Sequence, residues 1–528
     1  MHRCFVDVEP NASLPALADH VKVGVVGAGA MGAGIAQIAA LAGHHVSLFD
    51  TRLGAAQGAI DKIIERVDQS VAKGRLEEAQ ASAARDGLRV ATTLADLAEC
   101  GLVIEAIVED LAAKRSLFYA LEALVSTSTL LATNTSSISI TAIGSALQEP
   151  GRLVGMHFFN PAPLMPLVEI ISGAATSRQA AETLYATARR WGKMPVFVKS
   201  TPGFIVNRVA RPFYAESLRV LQEGASDCAT IDAILRESGG FRMGPFELMD
   251  LIGHDVNYAV TRSVFDAFYA DRRFTPSLLQ LELVEAGFLG RKTGRGFYVY
   301  GEGAPAAKPS TYAPGPTPED ITLFGEHPLS EALAQRLAAR NVPFRRAEPQ
   351  ADARLAVSSG CTLYLNDGRT ATARAQANGV PNSVLIDHAL NFASATRVAI
   401  TAADQTHEST VASAAALLHA AGYAVSVVDD IPGMIVLRTM AMLANEAADA
   451  VNQGVCSAED CDLAMRMGVN YPQGPLEWAE SVGIARVVET LDHLRDAYGE
   501  DRYRVSPALR RKALTSGRFL QPKQAAHA

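Results

Sequence analysis

The chain has little cysteine. Six residues in 528 (Cys4, Cys100, Cys228, Cys361, Cys456 and Cys461) form no C-x-x-C pair. No histidine cluster accompanies them, so neither a disulfide framework nor a metal site is expected, and the thiols read as reduced core residues. An excess of positive charge is also lacking: the formal net charge is -8, which gives no reason to expect nucleic acid. Apolar stretches are broken by glycine or charge well before the length of about 18 residues that a membrane span needs. No basic segment followed by an apolar run opens the chain, so no signal peptide is expected and a cytoplasmic location is the default. What remains is an ordinary globular balance, 48% hydrophobic and 20% charged. The length is too great for one core, which predicts two to four domains.

Residues 1–20 read as a polar lead-in. Apolar strands are predicted at Val21–Val26, Val46–Asp50, Val90–Ala91, Leu102–Ala106 and Leu130–Thr133, with helical patterns between them. That alternation predicts an α/β domain over 21–200, with a parallel sheet covered on both faces. The pattern turns helical over 201–300. Residues 301–318, rich in Pro, Ala and Gly, read as a linker. Strand-like segments at Thr362–Asn366, Val384–Asp387, Val398–Thr401 and Ala424–Val428 make 319–430 a second, degenerate α/β region. A final helical stretch runs over 431–528.

An internal repeat links the two halves. Residues 202–208 read PGFIVNR and 432–438 read PGMIVLR; 244–247 read GPFE and 474–477 read GPLE. Both pairs sit at an offset of 230 without a gap. The same offset aligns Gly192 with Gly422, Glu216 with Glu446, Gly224 with Gly454, Asp232 with Asp462 and Gly253 with Gly483. The helical domain reads as duplicated.

Gly27, Gly29 and Gly32 form a G-x-G-x-x-G between a strand and a helix, and the next strand ends in Asp50. Glycines permit the tight turn and close approach to a pyrophosphate, and the helix N-terminus offers free N–H groups. A carboxylate at Asp50 suits the two ribose hydroxyls of NAD and repels the 2′-phosphate of NADP, although Arg52 nearby works against that preference. A tight structural turn with a solvated aspartate is the plainer alternative.

Residues 155–161 read GMHFFNP, and Glu169 follows His157 by twelve residues. A histidine between Met156 and Phe158 is by itself an ordinary core residue. An acid closing the next apolar segment suggests a base held by a carboxylate, the pair needed to take a proton from a secondary alcohol as hydride leaves. Ser136 follows the strand Leu130–Thr133, at the sheet end where α/β proteins bind ligands. Asn207 opens a helix after Pro202-Gly203, where its amide can donate to a substrate oxygen. Alone, Ser136 and Asn207 are common turn and cap residues.

From Val21 to about Tyr300 these segments resemble the L-3-hydroxyacyl-CoA dehydrogenase family. The resemblance is carried by VGVVGAGAMGAGIAQIAA (23–40), VIEAIVED (103–110), NTSSISIT (134–141), GMHFFNPAPLMPLVEI (155–170), TPGFIVNR (201–208), GPFELMDLIG (244–253) and GRKTGRGFY (290–298). It implies NAD-dependent oxidation of an (S)-3-hydroxyacyl-CoA to the 3-oxoacyl-CoA, with His157 as base and Glu169 as its partner. Ser136 and Asn207 would hydrogen-bond the reacting oxygen or the thioester carbonyl. NAD contacts would fall on Asp50, Glu109, Lys114, Ser136, Asn160 and Lys292. Coenzyme A contacts would fall near residues 55–75, where Lys62, Lys73 and Arg75 are candidates, with a solvated helix face as the alternative for each.

In the second half His157 falls on Asp387, Glu169 on Ala399 and Asn207 on Leu437, and no glycine loop precedes them. That copy is expected to be non-catalytic. Family members of this build act on 3-hydroxyadipyl-CoA in phenylacetate degradation, with 3-hydroxybutyryl-CoA as the competing substrate. Members of the family dimerise through the helical domain, so the second copy is expected to form an internal pseudo-dimer, with homo-oligomers allowed. Dehydrogenases of the 6-phosphogluconate or 3-hydroxyisobutyrate type resemble this architecture but use a catalytic lysine, which the His157–Glu169 pair disfavours. A non-enzymatic relative would have no need of His157, Glu169, Ser136 and Asn207 together.

Overall fold

A run such as Val23–Val26, apolar at every position, suits only a strand covered on both faces, and all four residues are buried. The computed structural model describes residues 15–521; most of the expected lead-in, and Cys4, lie outside them. The described chain divides into two compact units: residues up to Arg208 together with Gln453–Val469, and Val209–Asn452 together with the chain from Asn470 onward.

The first unit holds one sheet of eight strands: β1 (Val23–Val26), β2 (Val46–Phe49), β3 (Leu88–Val90), β4 (Leu102–Glu105), β5 (Leu130–Thr133), β6 (Leu153–Phe158), β7 (Leu167–Ser172) and β8 (Met194–Lys199). Their order is β3-β2-β1-β4-β5-β6-β7-β8. The five expected strands are present within a residue or two of their predicted ends. The sheet is not wholly parallel as expected: β6 and β7 run antiparallel, with His157 opposite Glu169. The loop between them is short, and only an antiparallel pair can be joined without a long crossover.

The helix Ala458–Val469, from the second copy of the repeat, packs on β7 and β8. The backbone N–H of Lys199 donates to the Val455 carbonyl at 2.8 Å, which occupies part of the β8 edge. Gly468 lets the helix approach closely there, since a Cβ would lie 2.6 Å from a Leu167 methyl, which would have to shift. Segment 453–469 thus groups with the sheet of the first unit.

The second unit contains the helices of the first repeat copy from Arg211–Gln222 onward, and a seven-stranded sheet. Its strands are β9 (Thr322–Phe324), β10 (Arg345–Ala347), β11 (Ala356–Ser358), β12 (Cys361–Leu365), β13 (Ser383–Ile386), β14 (Arg397–Ala402) and β15 (Ala424–Val427). The run from β12 to β15 pairs parallel, antiparallel, parallel, as β5 to β8 do. β14 and the helix Glu408–Ala420 lie 230 residues beyond β7 and the helix Arg178–Arg190, with identical lengths. The duplication thus includes the last four strands of the first sheet, beyond the helical domain read from sequence. Among the described residues the counterpart of the glycine loop is absent.

The two repeat helices Arg211–Gln222 and Val436–Asn452 pack together inside this unit. Buried Arg438 donates to Glu216 at 2.7 Å, and Tyr503 donates to the same carboxylate at 2.9 Å. Glu446, the repeat partner of Glu216, receives buried Arg273 at 2.8 Å.

Candidate active site

β1 ends at Val26 and the chain turns at Gly27, whose φ of +104° is open to glycine alone at low cost. A Cβ there would lie 2.4 Å from the Ala106 carbonyl oxygen, and one on Gly32 would lie 1.8 Å from that of Gly27. These two glycines close the loop. Gly29 has another role: a Cβ on it would meet nothing within 4 Å, so its hydrogen leaves open space at the N-cap of helix Ala30–Leu41. No side chain caps that helix, which leaves first-turn N–H groups for an anion. The loop fits a dinucleotide pyrophosphate.

Asp50 stands just beyond β2. Its carboxylate accepts the Ala28 N–H at 2.8 Å and the Arg52 N–H at 2.9 Å, and Arg52 Nε lies 3.2 Å away. Burial pushes this carboxyl up, but the Arg52 and Ala28 hydrogen bonds outweigh it and hold it below its ordinary range. Asp50 therefore reaches back to the glycine loop while Arg52, largely exposed, lies over it.

Glu109 is the hub of the next group. It accepts Thr135 Oγ1–H at 2.6 Å, the Ser136 N–H at 2.9 Å and Ser137 Oγ–H at 3.1 Å. Burial raises its pKa, yet the Thr135 bond, the Lys114 charge and the Ser136 N–H together bring it below the ordinary value. Lys114 is buried, with Nζ 2.6 Å from Glu105 and 3.3 Å from Glu109. It stands beneath Glu109 as a fixed counter-charge. Thr133 donates to the other Glu105 oxygen at 2.6 Å.

The antiparallel register of β6 and β7 places His157 Nδ1 2.7 Å from Glu169 Oε2. Glu169 is fully buried, and its Oε1 accepts the N–H groups of Ile205 at 2.9 Å and Val206 at 3.1 Å. One carboxylate therefore holds the imidazole and caps the segment that carries Asn207. With Nδ1 facing Glu169, Nε2 is the ring nitrogen left for a substrate. Phe159 and Phe204 flank the ring at centroid distances of 4.5 and 6.1 Å, which limits its rotation. Asn207 Nδ2 donates to the Ser136 carbonyl at 3.3 Å, joining the loop after β5 to the segment after β8.

The structure thus gathers His157, Glu169, Ser136, Asn207, Glu109 and Lys114 at one end of the first sheet. Asn160 is exposed, before a cis bond to Pro161. Lys292 belongs to the second unit, where it pairs with Asp255 at 2.5 Å. Lys62, Lys73 and Arg75 are exposed on and just after the helix Ala55–Ala72. Sequence reasoning missed Asn134, whose Oδ1 accepts the Phe158 N–H at 2.9 Å and so ties β5 to the strand bearing His157. It also missed Lys193, whose Nζ donates to the carbonyls of Ala162 at 2.6 Å and Met165 at 2.8 Å and fixes the loop after His157. Asn134 sits inside the NTSS motif and was findable there; Lys193 carried no local signal. Among the described residues no cluster of side chains could hold a metal ion, and no helix is long and apolar enough to cross a membrane.

Family profiles match along most of the chain. The 3-hydroxyacyl-CoA dehydrogenase NAD binding domain matches residues 22–201. The C-terminal domain of the same family matches twice, at 203–300 and 433–525. A 3-hydroxybutyryl-CoA dehydrogenase reduced Rossmann-fold domain matches 363–432. The chain is 42% identical to a 3-hydroxyadipyl-CoA dehydrogenase of Escherichia coli K12, over 93% of its own length and 97% of that protein's. A solved structure named as a 3-hydroxybutyryl-CoA dehydrogenase from Escherichia coli K12 superposes with a TM-score of 0.85 at 42% identity, covering 94% of this chain and 98% of that one. A probable 3-hydroxybutyryl-CoA dehydrogenase of Deinococcus radiodurans is 40% identical but matches only 53% of this chain with 100% of its own.

Proposed function

Because the chain belongs to the 3-hydroxyacyl-CoA dehydrogenase family and is an NAD-dependent oxidoreductase acting on 3-hydroxyacyl-CoA, we propose that its substrate is 3-hydroxyadipyl-CoA and its setting phenylacetate degradation in the cytoplasm. The supporting observation is the relative of that name, which matches this chain through both repeat copies. The second reading, 3-hydroxybutyryl-CoA, is favoured by the name of the equally similar solved structure.

In the proposed mechanism Asp50 and the Gly27–Gly32 loop bind the dinucleotide, which supplies the hydride acceptor when bound. His157 takes the hydroxyl proton at Nε2, and Glu169 stabilises the imidazolium that results. Ser136 and Asn207 hydrogen-bond the reacting oxygen or the thioester carbonyl. Glu109, held by Lys114, positions the Thr135–Ser137 loop. Asn160 and Lys292 are proposed as further cofactor contacts, and Lys62 and Lys73 as coenzyme A contacts. The same reading divides the chain into an NAD-binding domain (21–200), two helical copies (201–300 and 431–528), a linker (301–318) and a non-catalytic α/β spacer (319–430).

Steady-state kinetics on 3-hydroxyadipyl-, 3-hydroxybutyryl- and 3-hydroxyhexanoyl-CoA with NAD test the substrate. A higher kcat/KM for the first supports the proposal; a higher value for 3-hydroxybutyryl-CoA rejects it in favour of the second reading.

A further inference from the structure

The helix Arg211–Gln222 opens with an arginine that has no carboxylate. Arg211 is 5% exposed. Its Nη1 donates to Thr261 Oγ1 at 3.0 Å, and its guanidinium carbon lies 4.9 Å from the centroid of the Tyr214 ring. Its Nε is buried without an acceptor. Other buried arginines of the same unit are paired: Arg273 with Glu446, Arg374 with Asp367, Arg397 with Glu237, Arg438 with Glu216 and Arg502 with Glu500. A buried guanidinium without a counter-charge is unfavourable, and an anion from outside the chain would relieve that cost.

Arg211 lines a cavity of about 220 Å³ in the second unit. Arg219 and Arg502 also reach it, and both are drawn to the single carboxylate of Glu500, at 3.3 and 3.2 Å. Three arginines thus line the cavity, and two of them share one acid. Ser277, also on the wall, has a buried hydroxyl oxygen with no partner. The rest of the lining is largely apolar, with Leu218, Phe274, Pro276 and Leu278. A guanidinium fork with hydroxyls beside it suits a planar carboxylate, and the apolar wall suits the methylenes that bear it.

We propose that this cavity is a receptor for the carboxylate of an aliphatic acid, bound by Arg211 with Ser277, while Thr261, which donates to the Asn257 carbonyl at 3.0 Å, holds the guanidinium in place. The ligand is a free aliphatic dicarboxylate such as adipate, and its recognition does not rest on the substrate reading above.

The test uses the full chain. In the first arm, adipate at millimolar concentration raises the thermal midpoint of the wild type, and R211M abolishes that rise. In the second arm, calorimetric titration of adipate gives a Kd that rises by about 10–100-fold in R211M, the range for losing a hydrogen bond to a charged group. Should R211M fail to fold, T261V and S277A take its place, each weakening the same responses. Responses absent from the wild type, or equal in wild type and variants, overturn the proposal. So does inorganic phosphate raising the midpoint as much as adipate.

Discussion

Glu169 does two jobs with its two oxygens, one at His157 Nδ1 and one at the N–H groups of Ile205 and Val206. The two substitutions at this dyad should therefore differ in kind. His157→Gln should lower kcat by about 10²–10⁴-fold, the usual loss of a general base, with NAD affinity kept. Turnover near the wild-type rate would reject the assignment. Glu169→Gln should lower kcat and also cost about 1–3 kcal/mol of stability, because an amide is a poorer acceptor for two buried N–H groups; an unchanged denaturation midpoint would contradict the capping role. Asp50→Ala should weaken NAD binding and relax discrimination against NADP, read by titration with each cofactor. The Asp50 and Glu109 carboxyls are both held below their ordinary range. They stay ionised as pH falls through that range, so NAD affinity measured between pH 5 and 8 should show no loss attributable to either. His157 and Glu169 were legible in the sequence because an antiparallel pair joined by a short loop brings residues twelve apart face to face. The resemblance names Lys114 as well, but its burial beneath Glu109 was not legible: it depends on the ion pair that the helix Leu111–Glu122 makes with Glu105 on β4.

At the scale of elements, the repeat shows which constraints keep residue identity. Helix openings such as PGFIVNR and PGMIVLR keep theirs, since a tight turn, a capped N-terminus and a buried guanidinium each demand one residue type. Strands of four to six residues demand only apolar character, so the correspondence of β12–β15 with β5–β8 could not be read from identities. The buried cap itself has moved. In the first copy Glu169 on β7 caps residues 205–206; in the second, Asp387 accepts the N–H groups of Ile435 at 2.9 Å, Val436 at 2.6 Å and Leu437 at 3.2 Å. Asp387 occupies the position of His157, and its N–H donates to Ala399, the position of Glu169. From the sequence alone, Asp387 stands for a lost base. The structure shows the cap retained from the neighbouring strand, which preserves the helix start with no imidazole between. Asp387→Ala should then cost about 2–3 kcal/mol through three buried N–H groups left unpaired, read by denaturant unfolding, while NAD affinity is unaffected. A variant as stable as the wild type would show that water or a shifted neighbour replaces the carboxylate.

For the whole molecule, we propose that the second copy serves as a partner carried in the same chain. It has kept its packing faces and lost its chemistry: Asp387, Ala399 and Leu437 stand where His157, Glu169 and Asn207 would be, and the strands of the glycine loop have no counterpart among the described residues. Every residue from Val436 to Ala450 is buried, and Arg438 closes an ion pair with Glu216 of the first copy in which both side chains are fully buried. In this reading Gly244-Pro245 and Gly474-Pro475 are related by a pseudo-two-fold axis. Two outcomes follow. Calorimetry should find one NAD per chain. Truncation after Tyr300 should leave the helix Arg211–Gln222 with its apolar face uncovered and Glu216 without Arg438 or Tyr503. An uncovered face of that kind associates, since a monomer rarely tolerates a large apolar patch, and an uncompensated buried carboxylate adds to the instability. The truncated protein should therefore elute as dimers or aggregates on size exclusion, and Arg438→Ala in the full chain should weaken stability without creating a second cofactor site. Two NAD sites per chain, or a truncated chain that is monomeric and as stable as the original, would show that the second copy is an appendage and not a partner.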